Sequence, residues 1–253
     1  MKQKSAKVEK ILGLTEDDFF KFYKKTKFTS FPEKVQRSIP NSWIKIYYKT
    51  YPRFPSVKLD PPQKLVKSIG YALKSRKSAR EFKGEITKTE LSTILLLSGG
   101  TLEKATKETN EHRYYPSAGA RYPLEIYLYV NKCGVIEKGL YHFNIKDNSL
   151  EVIEKGNFSS KILEITGEKW VNNSSTVIFI SAVFRRTTVK YGLRGYLFPF
   201  IEAGHLCQNV YLISATLGLK CCAIGGFIDG AANELFDLDP RKESVIYIVA
   251  IGK

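Results

Sequence analysis

Lys190 and Tyr191 stand side by side in the run Lys-Tyr-Gly-Leu-Arg-Gly-Tyr at 190–196. An ammonium beside a phenol can give or take a proton once burial or a neighbouring cation lowers a pKa. Gly192 and Gly195 shape the backbone after them. The plain alternative is a charged loop leading into a helix. A second group, Arg76-Lys77-Ser78-Ala79-Arg80, sets three cations and a hydroxyl within five residues. Guanidinium groups grip a phosphate through paired N–H bonds, and a serine adds a donor. The plain alternative there is a solvated helix end. In a third group, Pro116-Ser117-Ala118-Gly119 continues through Ala120, Arg121 and Tyr122 to Pro123. Its small residues let the backbone come close to a flat ligand, or they simply make a turn before a strand. In a fourth, Ile224-Gly225-Gly226 would present bare backbone N–H groups at a strand end. Glu202, His205, Gln208 and Asn209 recur at helical spacing and form a polar strip. His205 reads as a buried, hydrogen-bonded histidine in preference to a catalyst.

Other chemistries lack their residues. No G-x-G-x-x-G fingerprint, Walker A loop or G-x-S-x-G elbow occurs. With His112, His142 and His205 the sole histidines, no metal site is expected. Cys133, Cys207, Cys221 and Cys222 show no C-x-x-C spacing, so neither a zinc site nor a disulfide framework is expected. Cys221 and Cys222 read as small buried hydrophobes.

These groups need elements to hold them. Thr15 followed by Glu16, Asp17 and Asp18 predicts a helix running to about Lys25. Four prolines between residues 50 and 62 predict an extended or turning stretch. Leu65, Val66, Ile69 and Leu73 predict a helix after it. Thr87 to Glu90 has the capping-box form and opens a helix through Leu97, closed by Gly99-Gly100. Residues 101–115 read as loop. Leu124–Val130 alternates as a strand, and 140–145 with 150–153 read as a hairpin around 146–149. Phe158–Thr166 reads as a short helix. The apolar run Thr176–Val183 suits a strand buried on both faces. Arg194–Leu217 reads as one long helix ending at Gly218, with Cys222–Phe227 and Ser244–Ile251 as further strands. The expectation is an α+β chain: a basic extension and Pro-rich linker over 1–62, and one principal domain over 63–253.

The chain has 253 residues, 43% of them hydrophobic and 26% charged, enough for a real core. No apolar run reaches the roughly 18 residues of a membrane span. The first ten residues lack the apolar stretch of a signal peptide, so a cytoplasmic location is expected. The net charge of +15 divides as +8 over residues 1–60, +5 over 61–120 and +2 beyond. A basic surplus of this kind suits an anionic cofactor or an acidic partner. Nucleic acid is the weaker reading, because Lys21-Phe22-Tyr23-Lys24-Lys25 fits a solvated helix face.

Taken in order, the blocks resemble the nitroreductase-like flavoprotein superfamily, and within it the SagB-type (McbC-like) dehydrogenases. The carriers are R-K-S-A-R at 76–80, P-S-A-G-A-R-Y-P-L-E at 116–125 and G-L-Y-H-F at 139–143. They continue with K-Y-G-L-R-G-Y at 190–196, E-A-G-H-L-C-Q-N at 202–209 and Gly225-Gly226. The resemblance covers about Ser75 to Gly252. It implies a mostly antiparallel central sheet flanked by helices, an intertwined homodimer, and FMN at the subunit interface. Arg76, Lys77, Ser78 and Arg80 would hold the phosphate and ribityl chain. Pro116, Ser117, Ala118 and Gly119 would reach the flavin from the partner subunit. Ile224, Gly225 and Gly226 would lie against the isoalloxazine. Relatives' basic tail after the last strand is not seen here, which puts weight on Arg76 and Arg80, with Arg241 or Lys242 as further candidates. Lys190 and Tyr191 match the catalytic pair of enzymes that oxidise thiazoline or oxazoline rings in a ribosomally made peptide. A precursor peptide and a cyclodehydratase are the implied partners, and O₂ the implied reoxidant. Which of the pair is the base stays open. An NAD(P)H-dependent nitro- or quinone-type reductase on the same fold is the alternative, and a flavin-free peptide- or nucleic-acid-binding module is a third reading.

Overall fold

The computed structural model describes residues 15–27, 40, 48–103 and 111–253. Its helices are α1 (Glu16–Thr26), α2 (Ile69–Ser75), α3 (Lys88–Gly99), α4 (Ser159–Thr166), α5 (Arg185–Tyr191), α6 (Phe198–Thr216) and α7 (Asp229–Glu234). Its strands are β1 (Ser56–Lys58), β2 (Thr101–Glu103), β3 (His112–Arg113), β4 (Leu124–Val130), β5 (Gly139–Asn144), β6 (Ser149–Lys155), β7 (Thr176–Val183), β8 (Lys220–Ile224) and β9 (Glu243–Gly252). Seven strands form one sheet in the order β1-β6-β5-β4-β7-β9-β8, with every neighbouring pair antiparallel. β2 and β3 form a separate pair.

β4 and β7 lie at the centre because both of their faces are apolar. Along β4, Leu124, Ile126, Leu128 and Val130 face one core, and Tyr127 and Tyr129 face another. The alternation in this segment therefore separates two buried faces, not a buried face from a wet one. The first core is roofed by α3, through Leu91, Ile94 and Leu95, and by α6, through Leu206, Val210 and Ile213. The second is roofed by α4, through Ile162 and Ile165, and by Leu235 and Phe236 at the end of α7. Each such side chain contributes roughly 1.5–3 kcal/mol by leaving water.

Local signals explain the ends. Thr15 and Asp18 make a reciprocal capping box on α1, and Thr87 and Glu90 make another on α3. The β5–β6 turn passes through Asn148 at φ 51°, a conformation asparagine tolerates. The Pro-rich stretch is extended and carries β1 onto the sheet edge.

Several boundaries differ from expectation. The helix after the prolines starts only at Ile69, where Ser68 accepts the Tyr71 N–H. Ala72 is its buried residue, while Val66, Ile69 and Leu73 are exposed. The stretch 101–115, read as loop, contains β2 and β3. β8 stops at Ile224, so Gly225 and Gly226 lie beyond the strand. The long helix starts at Phe198, not Arg194, because Pro199 opens it and a short 3₁₀ turn, 192–196, precedes it. All four cysteines are free and buried. Among the described residues no helix is long and apolar enough to cross a membrane, and no cluster of His, Cys, Asp and Glu could hold a metal.

Candidate active site

Lys190 and Tyr191 lie in the last turn of α5, a helix that the sequence pattern did not predict. α5 follows β7 directly, and its polar face is tied down where a typical helix would be apolar. Arg186 is buried; it donates to the Tyr122 carbonyl at 3.0 Å and pairs with Glu125. Thr187 Oγ1 donates to the Gly195 carbonyl at 2.8 Å, folding the 192–196 turn back onto the helix. A Cβ at Gly195 would lie 2.7 Å from Thr188 backbone atoms, so no side chain fits there.

The Pro116–Pro123 loop meets this pair within the same chain. Gly119 has φ 60°, and a Cβ there would stand 2.7 Å from Lys190 Nζ and inside contact distance of Tyr191 Oη. Both side-chain ends thus converge on one bare stretch of backbone. Bonds that hold the loop include Tyr122 N–H to Ser117 Oγ at 2.8 Å, Arg121 Nε–H to the Arg186 carbonyl at 2.8 Å, and Ala118 N–H to Glu202 Oε1 at 3.0 Å. Gly119→Ala should therefore displace Lys190 and Tyr191, and left-handed backbone adds about 1–2 kcal/mol of strain. The expected result is a fall in activity larger than the modest fall in melting temperature. Unchanged turnover would refute the contact.

Burial raises the Tyr191 phenol above its ordinary pKa; Arg121 opposes that shift and Glu202 reinforces it. The adjacent ammonium was expected to lower this phenol. Instead Lys190 Nζ sits over the Tyr191 ring, 5.4 Å from its centroid, so its charge faces the π-surface. Tyr191 also packs edge-on against Phe198, 4.9 Å between centroids. Glu202 is buried on α6, and burial pushes its carboxyl up to about 7. Its Oε2 has no hydrogen-bond partner. His205, expected to be buried, is exposed; with Glu202, Ser117 and Ala118 it lines a cavity of about 260 Å³.

The cationic block docks on the sheet edge. Ser78 bridges to Cys221 in parallel fashion, and Ala79 N–H donates to the Cys221 carbonyl at 3.0 Å. Ser78 Oγ and Tyr211 Oη are 2.8 Å apart, and the same Tyr211 oxygen accepts the Ala223 N–H at 2.8 Å. Tyr211 therefore pins the block to β8, the strand that ends at Ile224 just before Gly225-Gly226. Arg76, Lys77, Ser78 and Arg80 are exposed. Arg76 lies over the Tyr211 ring and Arg80 near the Trp170 ring, and among the described residues none of the three cations has a carboxylate partner. Arg241 and Lys242 differ: both pair with Asp239 at the exposed surface. Gly225 and Gly226 are exposed; a Cβ on Gly226 would stand in open space, and one on Gly225 would meet only the Tyr247 ring, at 3.9 Å. This donor set, unpaired cations and a hydroxyl beside bare glycine backbone, fits a phosphate-bearing flat cofactor such as FMN.

A second polar assembly was not foreseen. Buried His142 on β5 sits between Glu125 on β4, at 3.1 Å, and Glu151 on β6, at 2.8 Å. Burial works against its charge, yet the two carboxylates overcome this and hold its pKa above the ordinary imidazole value. Burial would raise Glu125, but Arg186 and then His142 bring it down to about 2. Glu151 also accepts the Tyr51 N–H at 2.9 Å and the Asn144 amide at 2.8 Å. The assembly runs from the residues before β1, across three strands, to Arg186 on α5. Its signal in the sequence was a charged residue inside each of two apolar strand runs, P-L-E and G-L-Y-H-F.

Comparison with known proteins agrees with this architecture. The nitroreductase family model matches residues 73–253. The nitroreductase-like protein MJ1384 of Methanocaldococcus jannaschii is 32% identical over 180 residues, 70% of this chain and 87% of that protein. The microcin B17-processing protein McbC of Escherichia coli is 26% identical over 150 residues, 55% of this chain and 54% of McbC. Among solved structures, the E. coli microcin synthetase McbBCD complex, with truncated pro-microcin bound, aligns with a TM-score of 0.61 at 19% identity, covering 96% of each chain. A nitroreductase-type protein from Desulfovibrio desulfuricans in complex with FMN aligns at 0.51 and 16% identity, over 74% of this chain and 86% of that one. The two structural likenesses show the fold. With a family model covering everything from the end of α2 to Lys253, the chain belongs to the nitroreductase family.

Proposed function

We propose that the protein is an FMN-dependent dehydrogenase of the SagB type, which oxidises thiazoline or oxazoline rings in a ribosomally made peptide to thiazoles or oxazoles. The observation that carries this reading is the convergence of Lys190 Nζ and Tyr191 Oη on Gly119. A reductase of small electrophiles needs no such paired acid–base group, whereas dehydrogenation must remove a proton from carbon as well as a hydride. The likeness to McbC and to a microcin synthetase supports a peptide substrate.

Arg76, Lys77, Ser78 and Arg80 would hold the phosphate end, and Ile224, Gly225 and Gly226 would lie beside the ring system. When bound, FMN supplies the two-electron oxidant that accepts the hydride. Lys190 or Tyr191 takes the proton from the adjacent ring carbon. Pro116, Ser117, Ala118 and Gly119 give a narrow backbone wall that orients the ring being oxidised. In a homodimer this wall would face the flavin held by the partner subunit. The precursor peptide, with a cyclodehydratase that makes its azolines, is the proposed partnership.

Three measurements test the reading. The purified chain should bind about one FMN, seen as the oxidised-flavin spectrum. Arg76→Ala and Arg80→Ala should each weaken FMN by roughly tenfold or more, since a charged hydrogen bond contributes about 1.5–3 kcal/mol. A synthetic thiazoline peptide should bleach the flavin anaerobically. Rapid bleaching by NADPH or NADH, with none by the thiazoline peptide, would move the protein to the reductase alternative. No flavin after soaking with FMN would end both readings.

A further inference from the structure

We infer that Glu202 is a positioning residue whose proton governs the Gly119 turn and, through it, the Lys190–Tyr191 pair. The inference rests on that pair being the reactive centre. Glu202 Oε1 accepts the Ala118 N–H at 3.0 Å. Ala118 immediately precedes Gly119, and Lys190 Nζ and Tyr191 Oη close off the space where a Gly119 side chain would stand. The carboxyl is 2% exposed, and its Oε2 is unpartnered. An ionised carboxylate grips an N–H roughly twice as strongly as a neutral acid does. Loss of the Glu202 proton therefore tightens the turn, and gain of it loosens the turn. The charge acts on Tyr191 directly too, because an anion at Glu202 disfavours a phenolate nearby.

Other groups around Glu202 set its balance. Arg113 on β3 and the N–H of Ala118 favour the anion, as does Ser117. Tyr115, Tyr122 and Tyr191 face it, and His205 lies along the same helix on the same cavity. Burial outweighs the groups that favour the anion, and the carboxyl titrates at about 7. Both forms are then populated near neutral pH, so the pair is tuned by a proton held one hydrogen bond away from the loop.

The test uses the full chain, ¹⁵N-labelled and mixed with FMN. The amide shifts of Ala118 and Gly119 should move together with pH, with a midpoint near 7. Glu202→Gln keeps the acceptor oxygen but cannot ionise, and in that variant both amides should stay flat. His205→Gln should leave the titration as in the wild type. With a thiazoline peptide as probe, the pH profile of oxidation should show an inflection near the same value, lost in Glu202→Gln. Flat amides in the wild type overturn the inference whether or not the variant folds. Titration that persists in Glu202→Gln overturns it as well. If the amides titrate as expected and no thiazoline is oxidised, the coupling stands and the substrate reading falls.

Discussion

Replacing Lys190 with Ala and Tyr191 with Phe together should slow azoline oxidation about 10²- to 10⁴-fold, the usual contribution of a positioned acid–base group. Bound FMN should be unchanged, because the residues proposed to hold it lie at 76–80 and 224–226. The single variants separate the two candidate bases. Tyr191 is raised by burial, so a resting phenolate is disfavoured. If Tyr191 is the base, Tyr191→Phe alone should reproduce nearly the whole loss. If Lys190 is, Lys190→Ala should do so and Tyr191→Phe should cost much less. Full turnover in the double variant would remove the pair from the mechanism.

His142→Ala should destabilise the fold by about 3–5 kcal/mol, the usual penalty for breaking a buried ionic assembly and stranding its partners. Here the stranded groups are Glu125 and Glu151, two carboxylates that would face each other without the imidazolium between them. The pH dependence has a definite sign. His142 is raised in the folded state, so its contribution is complete below the unfolded imidazole value of about 6.5. It fades as pH rises through the higher folded value. Glu125 is lowered to about 2, so its contribution is present above its unfolded value and disappears as pH falls through that of the folded state. The gap in urea midpoint between wild type and His142→Ala should therefore be widest in mildly acidic buffer and narrow on the alkaline side. A gap that widens as pH rises, or a loss below about 1 kcal/mol at neutral pH, would contradict the ionised bridge. Glu125 also holds Arg186, so the variant should disturb α5 and reduce turnover by more than the population unfolded.

Much of the scaffold could be read from local pattern. Thr176–Val183 is apolar but for Thr176 and Ser181 and becomes β7 over those same residues, and Thr87 with Glu90 opens α3 by the capping box. The short helix α5 could not be read this way. Arg185, Arg186, Thr187 and Thr188 give no apolar stripe, because Arg186 is buried by pairing with Glu125, 61 positions earlier. His142 was hidden for the same kind of reason: its partners arrive only through strand register, which places it directly opposite Glu151. Glu202 could be seen as part of a polar strip, but the unpaired oxygen depends on where the loop at 118 settles. Val66, Ile69 and Leu73 misled in the other direction: Val66 precedes the helix, and Ile69 and Leu73 lie exposed on it.

β8 is the last strand of the sheet, and its outer side is met by Ala79 and Ser78. An unpaired strand edge invites another chain to add to it, and proteins commonly blunt that hazard with charge or a covering loop. The cationic block supplies both. The residues proposed to grip the cofactor's phosphate thus also guard the sheet against edge-to-edge aggregation. A ligand that steadies this loop would protect the chain's solubility as well as complete its chemistry, and proteolytic nicking there would be expected to yield fibrillar or precipitating material and not merely an apoprotein.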